Sequence, residues 1–256
     1  MLPLVRTPFV KPTHLHLPLT AAHQSLSISG MARDAGVATP VRPTPARPES
    51  TQAAIKVRFL TVADIPALME LELAKWDEDQ ATNPEVLQLR IESYPRYCIA
   101  AFCVHTGKML ASLFIKPISD IEMQACNTWA DAAAIRPSAD DGKKASLFGI
   151  SMSSINKDAV EELFLFIIPL AVKDGKRHVY LGSPIPGLKK WREKNPQTDV
   201  AKDYVFVTRN GLPVDPQLRY YNKKGFNTIM SAKPEYFPHA DSMNYGAVLR
   251  MALPLP

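Results

Sequence analysis

Polar and apolar positions change period several times along this chain, and each change marks an element. Lys56-Val57-Arg58-Phe59-Leu60 alternates with period two, as a half-buried strand does. Thr61 then stands as a helix N-cap, with Asp64 three residues on and Pro66 in the first turn. The pattern becomes helical from Val62 to about Trp76, with Ile65, Leu68, Met69, Leu71, Leu73 and Trp76 largely on one side. Asn83-Pro84 opens a second helix to about Ser93, and Tyr94-Pro95 ends it. Tyr97 to Val104 and Met109 to Ile115 are apolar runs joined by His105-Thr106-Gly107-Lys108, which predicts a β-hairpin.

Beyond the hairpin, Ser119 to Ile135 reads as an irregular or helical excursion around Trp129, and Pro137 to Lys144 as a polar turn. Ala145 to Met152 is an apolar, central strand. Asn156 to about Asp174 is the strongest helix, ended by Gly175. A short strand, His178 to Leu181, leads into a proline-rich excursion over 184–214 with a small helix around Trp191. Gln217 to Lys224 is the last helix, and Phe226 to Ala232 and Tyr245 to Leu253 are the last strands.

Composition divides the chain. Residues 1–54 hold eight of the 23 prolines and three of the six histidines, with no sustained apolar period. Such a segment cannot bury enough surface to offset its ordering entropy. We therefore expect a disordered, Pro-rich extension over 1–54 and a folded domain over 55–256. Arg6, Lys11 and several Ser/Thr precede the first acidic residue, Asp34, as in an organelle transit peptide. The extension is poor in arginine and shows no amphipathic helix, so a cytoplasmic location is expected, with organelle targeting as the alternative. Met31 is a second candidate start.

Net charge is +5 over 256 residues. Residues 1–50 hold five Lys/Arg and two Asp/Glu, so +3 lies there and +2 in the rest. That remainder is too small for a nucleic-acid footprint. The longest apolar run, Leu163 to Val172, is too short to span a bilayer and contains Pro169, so no membrane association is expected. Cys98, Cys103 and Cys126 show no metal-type spacing and read as buried free thiols, suiting a reducing compartment.

The run Arg219-Tyr220-Tyr221-Asn222-Lys223-Lys224-Gly225-Phe226 carries the chemistry. Gly225 suits the left-handed residue past a helix end, and Lys223 and Lys224 complement the helix dipole. Read from the residues alone, this is either a corner with a packing tyrosine or a hydroxyl presented to a cleft. The spelling Tyr-x-Lys-x-Gly-Phe resembles the C-terminal signature of the GCN5-related N-acetyltransferases (GNAT superfamily), and the element order over residues 56–253 is similar to theirs. The resemblance implies an α/β GNAT fold, with a mixed, mostly antiparallel central sheet flanked by helices. It implies acyl transfer from acetyl-CoA or another acyl-CoA, with Tyr221 protonating the departing thiolate.

In that family the strand before the long helix splays from its neighbour, and its backbone pairs with the pantetheine arm. The resemblance places this binding on Ile150, Ser151, Met152, Ser153 and Ser154, with Lys157, Asp158 and Ala159 at the helix start and Tyr221 beyond. The backbone N–H groups around Ile150 to Met152 would polarise the thioester oxygen. The usual glycine-rich pyrophosphate cradle is missing: Ser153-Ser154-Ile155-Asn156-Lys157-Asp158-Ala159 has no glycine, and Asp158, Glu161 and Glu162 are acidic. Two readings stand: CoA bound through Ser153, Ser154, Lys157 and helix N–H groups, or a lost cradle. Ser154 or Asn156 acts in either case as an N-cap.

Strand-Ser183-Pro184-Ile185-Pro186-Gly187, Asp215-Pro216-Gln217-Leu218-Arg219-Tyr220-Tyr221 and the Tyr236-Phe237-Pro238…Ser242…Tyr245-Gly246 ending look like a branch of acetyltransferase-like domains found beside polyketide-synthase or acyl-activating modules. Members move acyl groups to a carrier-protein thiol, and some decarboxylate a malonyl unit first with a Thr/His pair. Ser183 stands where the threonine would, and no histidine matches. His239, in a loop after Pro238, is the expected base, against a solvated loop histidine. His178, Glu72 and Glu235 are weaker candidates, the carboxylates being indistinguishable from surface ones. The acceptor is then a small-molecule amine or an acyl-carrier protein. The alternative is a non-catalytic binding or regulatory domain with a degenerate cradle.

Overall fold

A computed structural model describes residues 54–75, 81–196 and 203–254, and the statements below concern these. The expectations for residues 1–53, and for Trp76 at the end of the first helix, lie outside them.

The chain opens with β1 (Ile55–Phe59), a 3-10 turn (Val62–Asp64), α1 (Ile65–Leu73) and α2 (Pro84–Ser93). The first helix starts later than its apolar period suggests. Asp64 accepts from both the amide and the hydroxyl of Thr61, at 2.8 and 2.9 Å, and these bonds set a tight turn before Pro66. At α2, Asn83 caps the start by accepting from the Val86 amide at 2.9 Å.

The hairpin follows as β2 (Cys98–Cys103) and β3 (Met109–Ile118). The 119–145 insertion folds into α3 (Asp120–Ala125) and α4 (Trp129–Ala133), each opened by a capping box: Ser119 with Glu122, and Thr128 with Asp131. After it come β4 (Ser146–Ser154), α5 (Lys157–Lys173) and β5 (His178–Pro184). Two strands run longer than expected. Ser153 and Ser154 belong to β4, and β5 continues through Ser183 and Pro184, because β3 and β9 supply backbone partners that local propensity does not foresee.

The 184–214 excursion contains α6 (Leu188–Lys194) and a small hairpin, β6 (Thr208–Arg209) with β7 (Leu212–Pro213). Last come α7 (Pro216–Lys223), β8 (Thr228–Lys233) and β9 (Gly246–Ala252). Gly225 takes φ of 98° past the end of α7. There Phe226 N bonds Tyr221 O and Gly225 N bonds Asn222 O, a Schellman closure. That closure consumes Phe226, so β8 starts two residues later than its apolar run suggests.

The main sheet runs β1-β2-β3-β4-β5-β9-β8, antiparallel except for the parallel β4–β5 pair. Helices cover both faces. On one, α1 and α2 are bonded to Ser153 and Ser151 of β4. Phe114, Lys116 and Ile118 share that face by the period of two, and the insertion covers its lower half. On the other face lies α5, burying Ala159, Val160, Leu163, Ile167 and Ala171. Here α7 is tied to α5 by the Lys224–Glu161 pair at 3.5 Å. No described helix is long and apolar enough to cross a membrane.

Candidate active site

The parallel β4–β5 ladder lasts only four residue pairs, Ser146↔His178 to Gly149↔Leu181. Past Gly149, β4 stays paired to β3 as far as Ser154↔Ala111, and β5 stays paired to β9 as far as Pro184↔Gly246. The sheet therefore opens in its middle. The register supplies the cause: Phe114 faces Ser151 and Ile115 faces Gly149, so Ile150 is an extra residue that bends β4 away. Along Ile150, Ser151, Met152, Ser153 and Ser154 the edge toward β5 has no strand on it. Backbone N–H and C=O groups there need partners.

Polar side chains under this opening hold β4 in place. Glu72 of α1 is 1% exposed and accepts from Ser153 Oγ and from Thr82 N (3.2 Å). Arg90 of α2 is 5% exposed and donates to Ser151 Oγ at 3.2 Å. Burial brings its pKa down to about 10, with the nearby Glu72 carboxylate opposing that fall. The expectation for Glu72 is corrected here: it is a buried carboxylate, unlike a solvated one. Glu72 lies four residues after Leu68 and seven after Ile65, on the apolar stripe of its helix, a position that by itself does not announce a buried charge.

At the start of α5 the geometry is that of a capped helix. Asn156 Oδ1 accepts from Asp158 N at 2.9 Å and Ala159 N at 3.0 Å. Ser154 Oγ accepts from Asn156 N and donates to Asn156 O. Both residues thus fill local caps, and two of the amides that an anion would use are occupied by Asn156. Ala159 is fully buried, whereas Lys157 is exposed.

Tyr221 lies in the last turn of α7, three residues before the Lys224 that pairs with Glu161 of α5. Its ring makes edge contacts with Tyr220 and Phe226, at centroid distances of 5.4 and 6.1 Å. The residue is half-buried, and burial pushes the phenol pKa up to about 12, with a hydrogen bond to Gln217 opposing that rise. The start of α7 is anchored by Asp215, which sequence reasoning did not single out. Its carboxylate accepts from Gln217 N, Leu218 N, Gly187 N and Tyr204 Oη, at 2.9 to 3.1 Å. One buried carboxylate thereby joins the Ser183–Gly187 turn to the helix carrying Tyr221.

Two expectations about the acceptor side do not match the geometry. Ser183 does not emerge into a cleft: it is fully buried in the β5–β9 ladder, and its hydroxyl donates to Pro184 O at 2.8 Å. His239 caps a 3-10 turn, with Nδ1 accepting from Ser242 N at 3.0 Å and lying 2.5 Å from Ser242 Oγ. Ser242 Oγ in turn accepts from Ile185 N at 2.9 Å. With Nδ1 engaged as an acceptor, the neutral ring carries its proton on Nε2, which leaves no lone pair for general-base work. Burial lowers the His239 pKa, in keeping with that neutral role. His178, 3.9 Å from Asp120 Oδ2, lies on β5 at the end remote from the opening. Glu235 is exposed, and Asn244 Nδ2 donates to it at 3.2 Å.

No family model matches the chain, and no curated protein matches it by sequence. Solved structures do. The loading GNATL domain of CurA from Lyngbya majuscula is 17% identical, covering 78% of this chain and 98% of that one, with a TM-score of 0.63. The GNAT-like decarboxylase of GphF, in complex with isobutyryl-CoA, is 21% identical over 78% of this chain and all of that one, with a TM-score of 0.61. At these identities the likeness is one of fold. The fold is GNAT-like.

Proposed function

We propose that this protein is a CoA-dependent acyltransferase that passes an acetyl or other short acyl group to an amine or a carrier-protein thiol. The observation that carries the reading is the opening of the sheet at Ile150–Ser154, beside the start of α5. An exposed strand edge pairs with amide groups of an extended ligand, and a pantetheine arm presents such groups. GphF, of like fold, takes isobutyryl-CoA. In this reading the arm lies along β4, Lys157 meets the phosphates, and N–H groups of Ile150 to Met152 polarise the thioester oxygen.

The acceptor attacks the thioester carbon, the C–S bond breaks, and the thiolate leaves toward Tyr221. A phenol near pKa 12 stays protonated at neutral pH, the state a donor needs. An ordinary thiol has a pKa of about 8.5, so full transfer from this phenol to the thiolate is uphill by about 5 kcal/mol. Tyr221 therefore acts chiefly as a hydrogen-bond donor that stabilises the thiolate. We expect Tyr221→Phe to lower kcat by about 10²-fold with an unchanged melting temperature. Undiminished turnover removes the role.

A second reading, a non-catalytic acyl-CoA-like binding or regulatory domain, is favoured by one feature. Asn156 occupies amides that would otherwise cradle a pyrophosphate. Calorimetric titration of the full chain with acetyl-CoA, and then malonyl-CoA, decides between the two. Saturable micromolar binding with turnover supports the transferase, whereas no saturable binding of either ligand by the folded protein supports the second reading.

A further inference from the structure

A cavity of about 400 Å³ lies between the end of α2, the last residues of β3 and the 119–145 insertion. Its polar walls are Tyr94, Lys116, Glu122, Asp131, Arg136 and Lys144, over an apolar floor that includes Ile118. We propose that this cavity binds a small organic carboxylate, at a site apart from the β4–β5 opening.

Lys116 is the centre of the argument. It is 8% exposed, and its ammonium donates to Ala134 O at 2.6 Å. No described carboxylate comes within 4.0 Å of it, although an ammonium has three donors to place. A buried charge is normally paired. Burial disfavours its charge; Lys144 and Arg136 add repulsion, while Cys126 and Glu122 favour it. The carboxylates nearby are committed elsewhere. Glu122 holds Lys144 at 2.8 Å and accepts from Ser119 N at 2.7 Å. Asp131 accepts from Asn127 N and Thr128 N, at 3.1 and 2.9 Å. Asp141 holds Lys144 at 2.9 Å. What remains is one buried ammonium without a counter-ion and Arg136, which makes no ion pair among the described residues. A guanidinium and an ammonium together suit a carboxylate.

Size and floor narrow the class. At about 400 Å³ the cavity is at the small end of ligand pockets, with room for a carboxylate on a short carbon body. Ile118 and Pro117 would meet that body, which a bare phosphate lacks. The lining separates this cavity from the opening: none of its residues belongs to β4 or β5.

The test is calorimetry on the full chain without CoA, using succinate, acetate and inorganic phosphate as probes. We expect saturable binding of at least one carboxylate, abolished in Lys116→Met and weakened tenfold or more in Arg136→Glu. Arg136 is exposed, so the second variant reports on binding even where the first fails to fold. Absence of saturable binding by the folded wild type overturns the site. Phosphate binding without carboxylate binding overturns the ligand class, and carboxylate binding that survives both substitutions overturns the location.

Discussion

The ring of Tyr236 occupies the space that side chains at residues 182 and 246 would need. A Cβ built on Gly182 would lie 2.5 Å from Tyr236 Cε1, and one on Gly246 2.5 Å from Tyr236 Cδ1. Gly182→Ala and Gly246→Ala should each cost about 1–3 kcal/mol by overpacking, read as a lower urea midpoint. The hydroxyl of the same tyrosine is buried without a partner. Tyr236→Phe should therefore be neutral or raise stability by up to about 1 kcal/mol, and a clear loss would show that the hydroxyl is satisfied. Legibility at this scale is uneven. The close of α7 was readable, because Gly225 follows two lysines at the helix end. Glu72, Arg90 and Asp215 were not, because a charged residue on a helix stripe announces burial only when its partner is known. Those partners, Ser153, Ser151 and Gly187, come from distant parts of the chain.

Helix starts are where single residues stabilise whole elements. Asp64 receives a two-pronged bond from Arg58, at 2.6 and 2.8 Å, and also closes the turn before α1. That arrangement holds its pKa at about 2, the Arg58 hydrogen bonds being the main cause. The folded pKa lies below the unfolded one, so the stabilisation is present above about pH 4. It is lost as pH falls through about 2. The Arg58 side chain is 42% exposed, so the discounted contribution is about 1 kcal/mol. Asp64→Asn should lower stability by about that amount at pH 7 and by almost nothing at pH 2. An equal loss at both values would locate its role in the turn alone. At α7, Asp215→Ala removes an acceptor from four donors and should cost about 3 kcal/mol or more. Element existence was largely legible, since caps such as Asn83 and stops such as Gly175 are local. Strand ends were not: β4 and β5 extend because β3 and β9 hold them, and the hairpin of β6 and β7 has two-residue strands with no period to read.

The order of the main strands and helices was legible from period, caps and turn residues, and it matches the GNAT-like fold; the separate helices of the 119–145 insertion were not. The extra residue at Ile150 was not, because a bulge is a mismatch between two strands and is invisible in either one. Hydrogen exchange reads it directly. Amides of Ile150–Ser154 that face β5 should exchange far faster than those of Leu147–Gly149, despite their central position. They should slow on addition of acetyl-CoA, whereas uniform protection without ligand would contradict an open edge. The short seam has a mechanical consequence. Four residue pairs make a joint about 10 Å long, while β4 runs about 16 Å beyond it with β3 still paired to its other edge. The joint is thus a pivot on which β3 and β4 move together: a rotation of about 10° at Gly149 and Leu181 would move the tip at Ser154 by about 3 Å. Side-chain volume at the seam, well away from any reacting atom, would then set how wide a guest the far end admits.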